Sequence, residues 1–142
     1  MPVRPMRDDE IDAVKAMMLA LWADFDGDYG DEQVLVWERA GGDLGGFVSY
    51  EVRAWAEGCD SRPVPYIEGW WVAPDLRGAG VGRALIAAVE AWARAKGFVE
   101  LGSDVDLGNE SSLKAHVALG FEPRIAVQYF RKRLGGQRAE SD

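Results

Sequence analysis

Three alternate glycines, Gly78, Gly80 and Gly82, separate an apolar run from an amphipathic one, and this feature constrains the fold more than any other. The apolar run, residues 64–72, predicts a strand because it is rich in aromatic and β-branched residues and is bounded by turn residues. The following run repeats apolar residues at helical spacing as far as Gly97 and predicts a helix. Together they place backbone N–H groups at the positive end of a helix, which favours binding of phosphate groups.

The spacing of these glycines differs from that of two other phosphate-binding turns. A dinucleotide-binding turn has the pattern Gly-x-Gly-x-x-Gly with an acid about 20 residues further on, and a P-loop has Gly-Lys-Ser/Thr. Neither pattern occurs here, so the alternative that stays open is a plain strand-to-helix turn. Arg77 and Arg83 flank the turn and favour the phosphate-binding interpretation, because they add positive charge.

The remaining periodicity predicts strands first, then alternating strands and helices, which is typical of an α/β (α+β) fold with a mixed sheet flanked by helices. We expect one domain over residues 1–134 and a polar tail over residues 135–142. Asp8 or Asp9 is expected to cap the first helix. The predicted strands lie near Val3 and at 34–38, 47–55, 64–72 and 98–105, with two more inside 121–132; the predicted helices are 11–22, 85–97 and one from Asn109 or Ser111 to Leu119.

Composition narrows the functional classes. The chain has 142 residues and a single cysteine, Cys59, which allows neither an intramolecular disulfide nor a cysteine-rich zinc site, and we expect no metal. No stretch approaches 18 consecutive apolar residues, so we expect no membrane segment and a cytoplasmic location.

The distribution of charge also points to a class of partner. The net charge is -8, and residues 1–70 hold fifteen acids and six bases. This excess argues against nucleic acid and favours a cationic partner, although surplus acid also serves solubility. Five acids lie within residues 24–32, which could form a wall of a cationic site or could simply be solvated.

Two segments resemble the signatures of the GNAT superfamily of N-acetyltransferases. Residues 72–83 resemble its acyl-CoA signature, Arg/Gln-x-x-Gly-x-Gly/Ala, and residues 109–121 resemble its later signature, which ends in Gly-Phe. The resemblance implies the GNAT fold with a central sheet splayed between the fourth and fifth strands, acetyl-CoA as cosubstrate, and a homodimer. The cofactor-binding positions that it implies are Trp70, Trp71, Val72, Arg77, Gly78, Ala79, Gly80, Val81, Gly82, Arg83 and Asn109.

Further segments resemble the aminoglycoside 6'-N-acetyltransferases within that superfamily, which acetylate antibiotics and confer resistance. These segments are Gly58-Cys59-Asp60-Ser61, Tyr66-Ile67-Glu68-Gly69, Gly102-Ser103-Asp104 and the run from His116 to Phe121. By this resemblance Trp22, Glu68 and Asp104 line the aminoglycoside site. Trp55 lies near a substrate-contacting tyrosine of some relatives, with core packing as an equal alternative. The segment between Trp22 and Val34 is short for a second substrate-binding helix, which leaves the range of drugs and the regiospecificity open.

Acetyl transfer needs a base, because an alkyl amine is largely protonated at neutral pH. We assign Glu68 and Asp104 jointly, acting through a water; the alternatives are a solvated strand residue and a turn cap. His116 occupies the position of the tyrosine that protonates the departing thiolate in many relatives, or is an ordinary buried histidine. Cys59 has no sequence-evident base and is rejected as a nucleophile. A polyamine or protein acetyltransferase and a non-catalytic CoA-binding module remain the rival functions.

Overall fold

The computed structural model describes residues 2–136 and contains a four-stranded antiparallel sheet in the order β1-β2-β3-β4. Three α-helices and two short 3₁₀ turns complete the described elements. The strands are β1 Val3–Pro5, β2 Gln33–Glu38, β3 Leu44–Arg53 and β4 Val64–Val72; the helices are α1 Ile11–Leu21, α2 Val81–Ala95 and α3 Glu110–Ala118. The three strands predicted from β2 to β4 are confirmed, as is the mixed α/β class. No helix within residues 2–136 is long and apolar enough to cross a membrane.

Alternation along β3 builds two apolar layers, one on each side of the sheet. Val48 and Tyr50 pack with Leu85, Ile86 and Val89 of α2. Phe47, one residue earlier and therefore on the opposite face, packs with the buried side chains of α1, Val14, Met17 and Met18. The sheet thus separates an α2 face from an α1 face, and the two faces carry different polar groups.

The sheet opens beyond the middle of β4. Residues 101–103 run parallel to β4 at one point only, where the Ile67 N–H donates to the Gly102 carbonyl over 2.8 Å and the Gly102 N–H donates to the Pro65 carbonyl over 2.9 Å. Within the described residues this pairing does not continue toward Val72, so the expected splay is present. The full strand predicted over 98–105 is wrong. Gly102 alone comes close to β4, so close that a Cβ at this position would lie 2.6 Å from the Tyr66 ring.

The two strands predicted inside residues 121–132 are also wrong for the described chain. The segment has strand periodicity, with apolar residues at Ile125, Val127 and Tyr129, but no neighbouring strand within residues 2–136 pairs with it. A strand needs a hydrogen-bonding partner, and periodicity alone does not supply one. Large apolar side chains therefore stay exposed; Tyr129, Phe130 and Leu134 are 86%, 91% and 91% exposed.

Of the two predicted helix caps, one is confirmed and one is wrong. Asn109 caps α3, since its Oδ1 accepts from the Ser112 N–H over 3.2 Å. Asp8 and Asp9 do not cap α1, because they lie inside a 3₁₀ turn, Asp8–Glu10, that precedes it. The polar tail predicted over 135–142 is described only at Gly135 and Gly136; the rest of it lies outside the described residues.

Candidate active site

Glu68 lies at an irregularity in β4 that turns its carboxylate toward the α1 face. Ser49 pairs with Gly69 and Tyr50 with Ile67, so Glu68 is the extra residue of a bulge. Both of its oxygens accept from Arg53, over 2.8 Å to Nε and 2.7 Å to Nη2. Its side chain is 13% exposed. A half-buried, bidentate ion pair therefore lies in the middle of this face.

Asp104 joins the same network through Tyr66. The Tyr66 hydroxyl donates to Asp104 Oδ2 over 2.8 Å, and the Arg53 guanidinium lies 3.7 Å from the Tyr66 ring centre. Burial, together with the hydrogen bond to Asp104, raises the pKa of Tyr66, so this hydroxyl stays a donor throughout the neutral range. The structure thus brings the two predicted carboxylates, Glu68 and Asp104, into one connected site.

Two further carboxylates belong to this site and were missed as a group by sequence reasoning. Carboxylate oxygens of Glu32, Glu51 and Glu68 lie within 4.8 Å of one another. Burial raises the pKa of Glu51, and hydrogen bonding to Glu68 raises it further. Burial also raises the pKa of Glu32. Glu51 shares a strand face with Arg53, but the bulge that brings Glu68 to it leaves no mark in the sequence.

The aspartates of the acidic segment do not join the cluster. Asp26 and Asp28 each accept a hydrogen bond from a backbone N–H two residues further on, as in Asx turns. They are exposed, as are Asp24 and Asp31. Of the acids in this segment, only Glu32 places a carboxylate in the cluster with Glu51 and Glu68.

The two tryptophans predicted at the substrate site, Trp22 and Trp55, lie in different environments. Trp22, directly after α1, packs against the α1 core, and a Cβ at Gly69 would lie 2.5 Å from its ring. Trp55 follows β3 and is 55% exposed, so the core-packing alternative for Trp55 is wrong. Trp22 therefore has a fixed ring beside the carboxylates, whereas Trp55 offers an accessible one.

The glycine turn has the geometry of an anion cradle. Gly78 and Gly80 have φ values of 82° and 90°, and a Cβ at either would meet nothing within 4 Å. No side chain caps α2, and the N–H groups of Val81 and Gly82 have no backbone acceptor among the described residues. These donors fit the phosphates of a diphosphate-bearing ligand.

The other predicted cofactor residues surround the cradle or support it. Arg77 donates from Nε to the Val72 carbonyl over 2.9 Å and holds the turn against the end of β4, while Arg83 and Ala79 are exposed. Trp71 packs on the α1 core and Trp70 on the α2 core.

His116 is buried, and both of its ring nitrogens have hydrogen-bond partners within the chain. Its Nδ1 donates to the Ser112 carbonyl over 2.7 Å, so Nε2 faces the Ser103 hydroxyl at 2.8 Å. The imidazole is 7% exposed and meets Trp70 edge to face at 5.2 Å. Any proton that His116 gives to a ligand must therefore pass through Ser103.

Cys59 belongs to a supporting loop. It packs beside Ala56, Val64 and Tyr66, and burial raises the pKa of its thiol, which disfavours the nucleophilic thiolate. Next to it, the Glu100 carboxylate accepts from the Ser61 hydroxyl over 2.6 Å and from two backbone N–H groups. This anchor fixes the loop near the point where Gly102 approaches β4.

The chain is similar to known acetyltransferases in both sequence and structure. It is 44% identical over 101 residues to aminoglycoside N(6')-acetyltransferase type 1 of Klebsiella aerogenes, covering 71% of this chain and 66%, just under two thirds, of that protein. It is 36% identical over 141 residues to the protein of the same name from Serratia marcescens, covering 89% of this chain and 95% of that one.

Among solved structures, AAC(6')-Iy in complex with the bisubstrate analog CoA-S-monomethyl-acetylneamine superposes with a TM-score of 0.80. The two chains are 34% identical, and the superposition covers 92% of this chain and 97% of the other. Residues 6–121 match the sequence model of the acetyltransferase (GNAT) family. The predicted GNAT fold is confirmed by these likenesses, and the protein belongs to the acetyltransferase (GNAT) family.

Proposed function

We propose that this protein transfers the acetyl group of acetyl-CoA to the 6'-amino group of an aminoglycoside and thereby confers resistance. One observation carries the proposal: β4 contributes Glu68 to a carboxylate network and ends at Val72, and one short 3₁₀ turn, Pro74–Leu76, leads from there to the glycine cradle. Along a strand, Glu68 and Val72 are about 13 Å apart, so the end of β4 offers an extended edge of that length between the carboxylates and the turn that leads to the cradle. The names of the Klebsiella and Serratia relatives support the choice of acceptor.

The acceptor side of the site suits a polycation. Glu32, Glu51, Glu68 and Asp104 lie around one guanidinium, that of Arg53. Such a surplus of carboxylates attracts ammonium groups and holds them by charge-assisted hydrogen bonds. Trp22 and Trp55 supply aromatic surfaces against which a sugar ring can pack.

The donor side of the site suits acetyl-CoA, which supplies an acyl group activated as a thioester. The cradle from Gly78 to Arg83 would hold its pyrophosphate. The edge of β4 from Glu68 to Val72, unpaired on its outer side within residues 2–136, would hydrogen-bond the pantetheine arm. A backbone N–H near Trp71 and Val72 would stabilise negative charge on the thioester oxygen.

Two carboxylates share the handling of the reacting amine. Asp104 is exposed and uses Oδ2 for Tyr66, which leaves Oδ1 without a hydrogen-bond partner among the described residues. Asp104 therefore takes the proton of the ammonium, through a water. Glu68 is tied to Arg53 by both oxygens and is better suited to orient the amine than to carry its proton. Asn109 caps α3 and would present its amide to the cofactor.

The proton for the departing thiolate is assigned to the pair of Ser103 and His116. Protonated His116 would give its Nε2 proton to Ser103 Oγ while Ser103 gives its own hydroxyl proton to the sulfur. The Ser112 carbonyl, bonded to Nδ1–H, would hold the ring with Nε2 directed at Ser103. This route needs no other acid at the site.

The proposal includes a domain over residues 1–134, a tail over 135–142, a cytoplasmic location, where acetyl-CoA is available, and a homodimer. Support for the homodimer comes from the exposed apolar side chains of Tyr129, Phe130 and Leu134, since such a patch marks an interaction surface.

The test is thiol release from acetyl-CoA with kanamycin, tobramycin, spermidine or a peptide amine as acceptor, with the site of acetylation read by NMR. We expect turnover of the aminoglycosides at the 6'-amine, and a loss of about 10²- to 10⁴-fold in kcat/KM for Asp104→Ala. The kcat/KM of Glu68→Ala should fall by a similar factor. Glu90→Gln, in α2 on the other face, is the control. Preferential turnover of spermidine or the peptide would mean that the acceptor is a polyamine or a protein amine and not an aminoglycoside. Binding of acetyl-CoA without turnover of any amine would favour a non-catalytic CoA-binding module.

A further inference from the structure

A bidentate ion pair ties the turn that precedes the glycine cradle to the hairpin of β2 and β3. Arg39 directly follows β2, and Asp75 lies in the 3₁₀ turn Pro74–Leu76. The Nη1 and Nη2 groups of Arg39 donate to the two carboxylate oxygens of Asp75 over 2.8 Å and 2.9 Å. The ion pair lowers the pKa of the Asp75 carboxyl, so both partners are charged at neutral pH. Two parallel bonds of this kind fix orientation as well as distance.

The same two segments also meet at Gly45, near the start of β3. The Ala73 N–H, one residue beyond the end of β4, donates to the Gly45 carbonyl over 2.9 Å. A Cβ at Gly45 would run into the Leu76 side chain and would lie 3.3 Å from Arg39 Nε. The missing side chain therefore makes room for Leu76 and Arg39 on this strand. The 3₁₀ turn is thus packed against the hairpin as well as paired with it.

The cradle needs such support because its own backbone is weakly constrained. A Cβ at Gly78 or Gly80 would meet nothing within 4 Å among the described residues, and glycine has access to more backbone conformations than any other residue. Within the turn, the Ala79 N–H reaches the Leu76 carbonyl only at 3.3 Å, which is a long hydrogen bond. A binding loop that is already held in its bound conformation loses less entropy when the ligand arrives. Fixing the chain at Asp75 therefore favours binding at the cradle.

We propose that Arg39 and Asp75 are positioning residues for the cofactor, and that their ion pair preorganises the glycine cradle for the pyrophosphate of acetyl-CoA. This inference rests on the proposed function and extends it to two residues outside the cradle. The alternative is that the Arg39 guanidinium attracts the phosphates directly. The two explanations predict opposite effects at Asp75. On charge alone, removing a carboxylate near the cradle strengthens phosphate binding, whereas losing the ion pair weakens it.

The test is calorimetric titration of CoA into wild type, Arg39→Gln, Asp75→Asn and the double variant. We expect the Kd for CoA to rise by about two- to fivefold in each single variant, since affinity falls with the fraction of molecules whose cradle is competent and the ion pair is partly exposed. The double variant should bind no more weakly than either single variant, because both changes break one interaction. At saturating acetyl-CoA, kcat and KM for kanamycin should keep their wild-type values.

Two variants control for the change in charge. Asp43→Asn removes an acid from the same hairpin, and Arg94→Gln removes a base from the last turn of α2, far from the cradle. Both should keep the wild-type Kd for CoA. Thermal unfolding of all variants should stay close to wild type, because partly exposed ion pairs contribute little to global stability.

The outcomes distinguish this inference from the proposed function. Tighter CoA binding in Asp75→Asn with weaker binding in Arg39→Gln would overturn the positioning role in favour of direct contact with the phosphates. An unchanged Kd in both single variants, or losses that add in the double variant, would overturn it as well. Absence of aminoglycoside turnover by the wild type would end the proposed function, yet the expected pattern of CoA binding would still support the ion pair as a support of the cradle. A wild type that does not bind CoA would end both.

Discussion

At the residue scale, Tyr66 links the sheet to Asp104, the proposed base. Its ring lies under Arg53 and beside Gly102, and its hydroxyl holds one oxygen of Asp104. Because the pKa of Tyr66 is raised, the hydroxyl does not ionise under working conditions and donates steadily to the carboxylate. Tyr66 is thus a positioning residue for the proposed base.

Replacing Tyr66 by Phe should lower kcat/KM for kanamycin by about tenfold, since Asp104 loses the donor that orients it while the ring and its packing remain. KM for acetyl-CoA should stay near the wild-type value, because the glycine cradle is untouched. Steady-state kinetics with each substrate varied would measure both. Tyr129→Phe removes an exposed hydroxyl and is the matched control. Equal kinetics for Tyr66→Phe and wild type would contradict the assignment of Asp104 as base.

At the element scale, the sequence patterns correctly predicted helices and strands whose contacts lie close in sequence. They failed for strands whose pairing partners lie far away in sequence. The hairpin of β2 and β3 joins adjacent strands, and α2 has a strong apolar face, so both were predictable from local spacing. Residues 98–105 pair at Gly102 alone, because the remainder diverges from β4. Glu68 was found through family resemblance, whereas Glu51 was missed because a bulge, not spacing, brings the two together.

Gly80 is the position in the cradle at which a substitution tests the backbone geometry most directly. Its φ of 90° disfavours any side chain, although a Cβ would meet no atom within 4 Å. Gly80→Ala should therefore act through the backbone, cost about 1–2 kcal/mol of stability and raise KM for acetyl-CoA several-fold. Gly41→Ala is the control, since Gly41 also has open space but no left-handed φ. Kinetics and thermal unfolding that match the control would argue against the cradle.

At the scale of the whole molecule, the described chain leaves an apolar segment uncovered. Residues 121–134 carry strand periodicity and large exposed side chains, a combination that natural proteins avoid on free surfaces. A second copy of the chain would cover it in the proposed homodimer. The segment is also basic at Arg131, Lys132 and Arg133, in contrast to the acidic first half.

Phe130→Asp should shift the proposed dimer toward monomer, because Phe130 is 91% exposed in the described chain and a buried interface would not accept an unpaired carboxylate. Sedimentation velocity at micromolar protein would measure the change. Glu122→Gln, in the same segment, should keep the oligomeric state of the wild type. A monomeric wild type, or a dimer unaffected by Phe130→Asp, would remove this segment from the interface.

The bidentate pair of Arg53 and Glu68 affects how the binding of a cationic acceptor depends on salt. A tethered guanidinium already occupies the carboxylate that the ligand needs, so association exchanges one cation for another and releases fewer dissolved counterions than four bare acids would. Acceptor affinity should then weaken only gently as potassium chloride is raised.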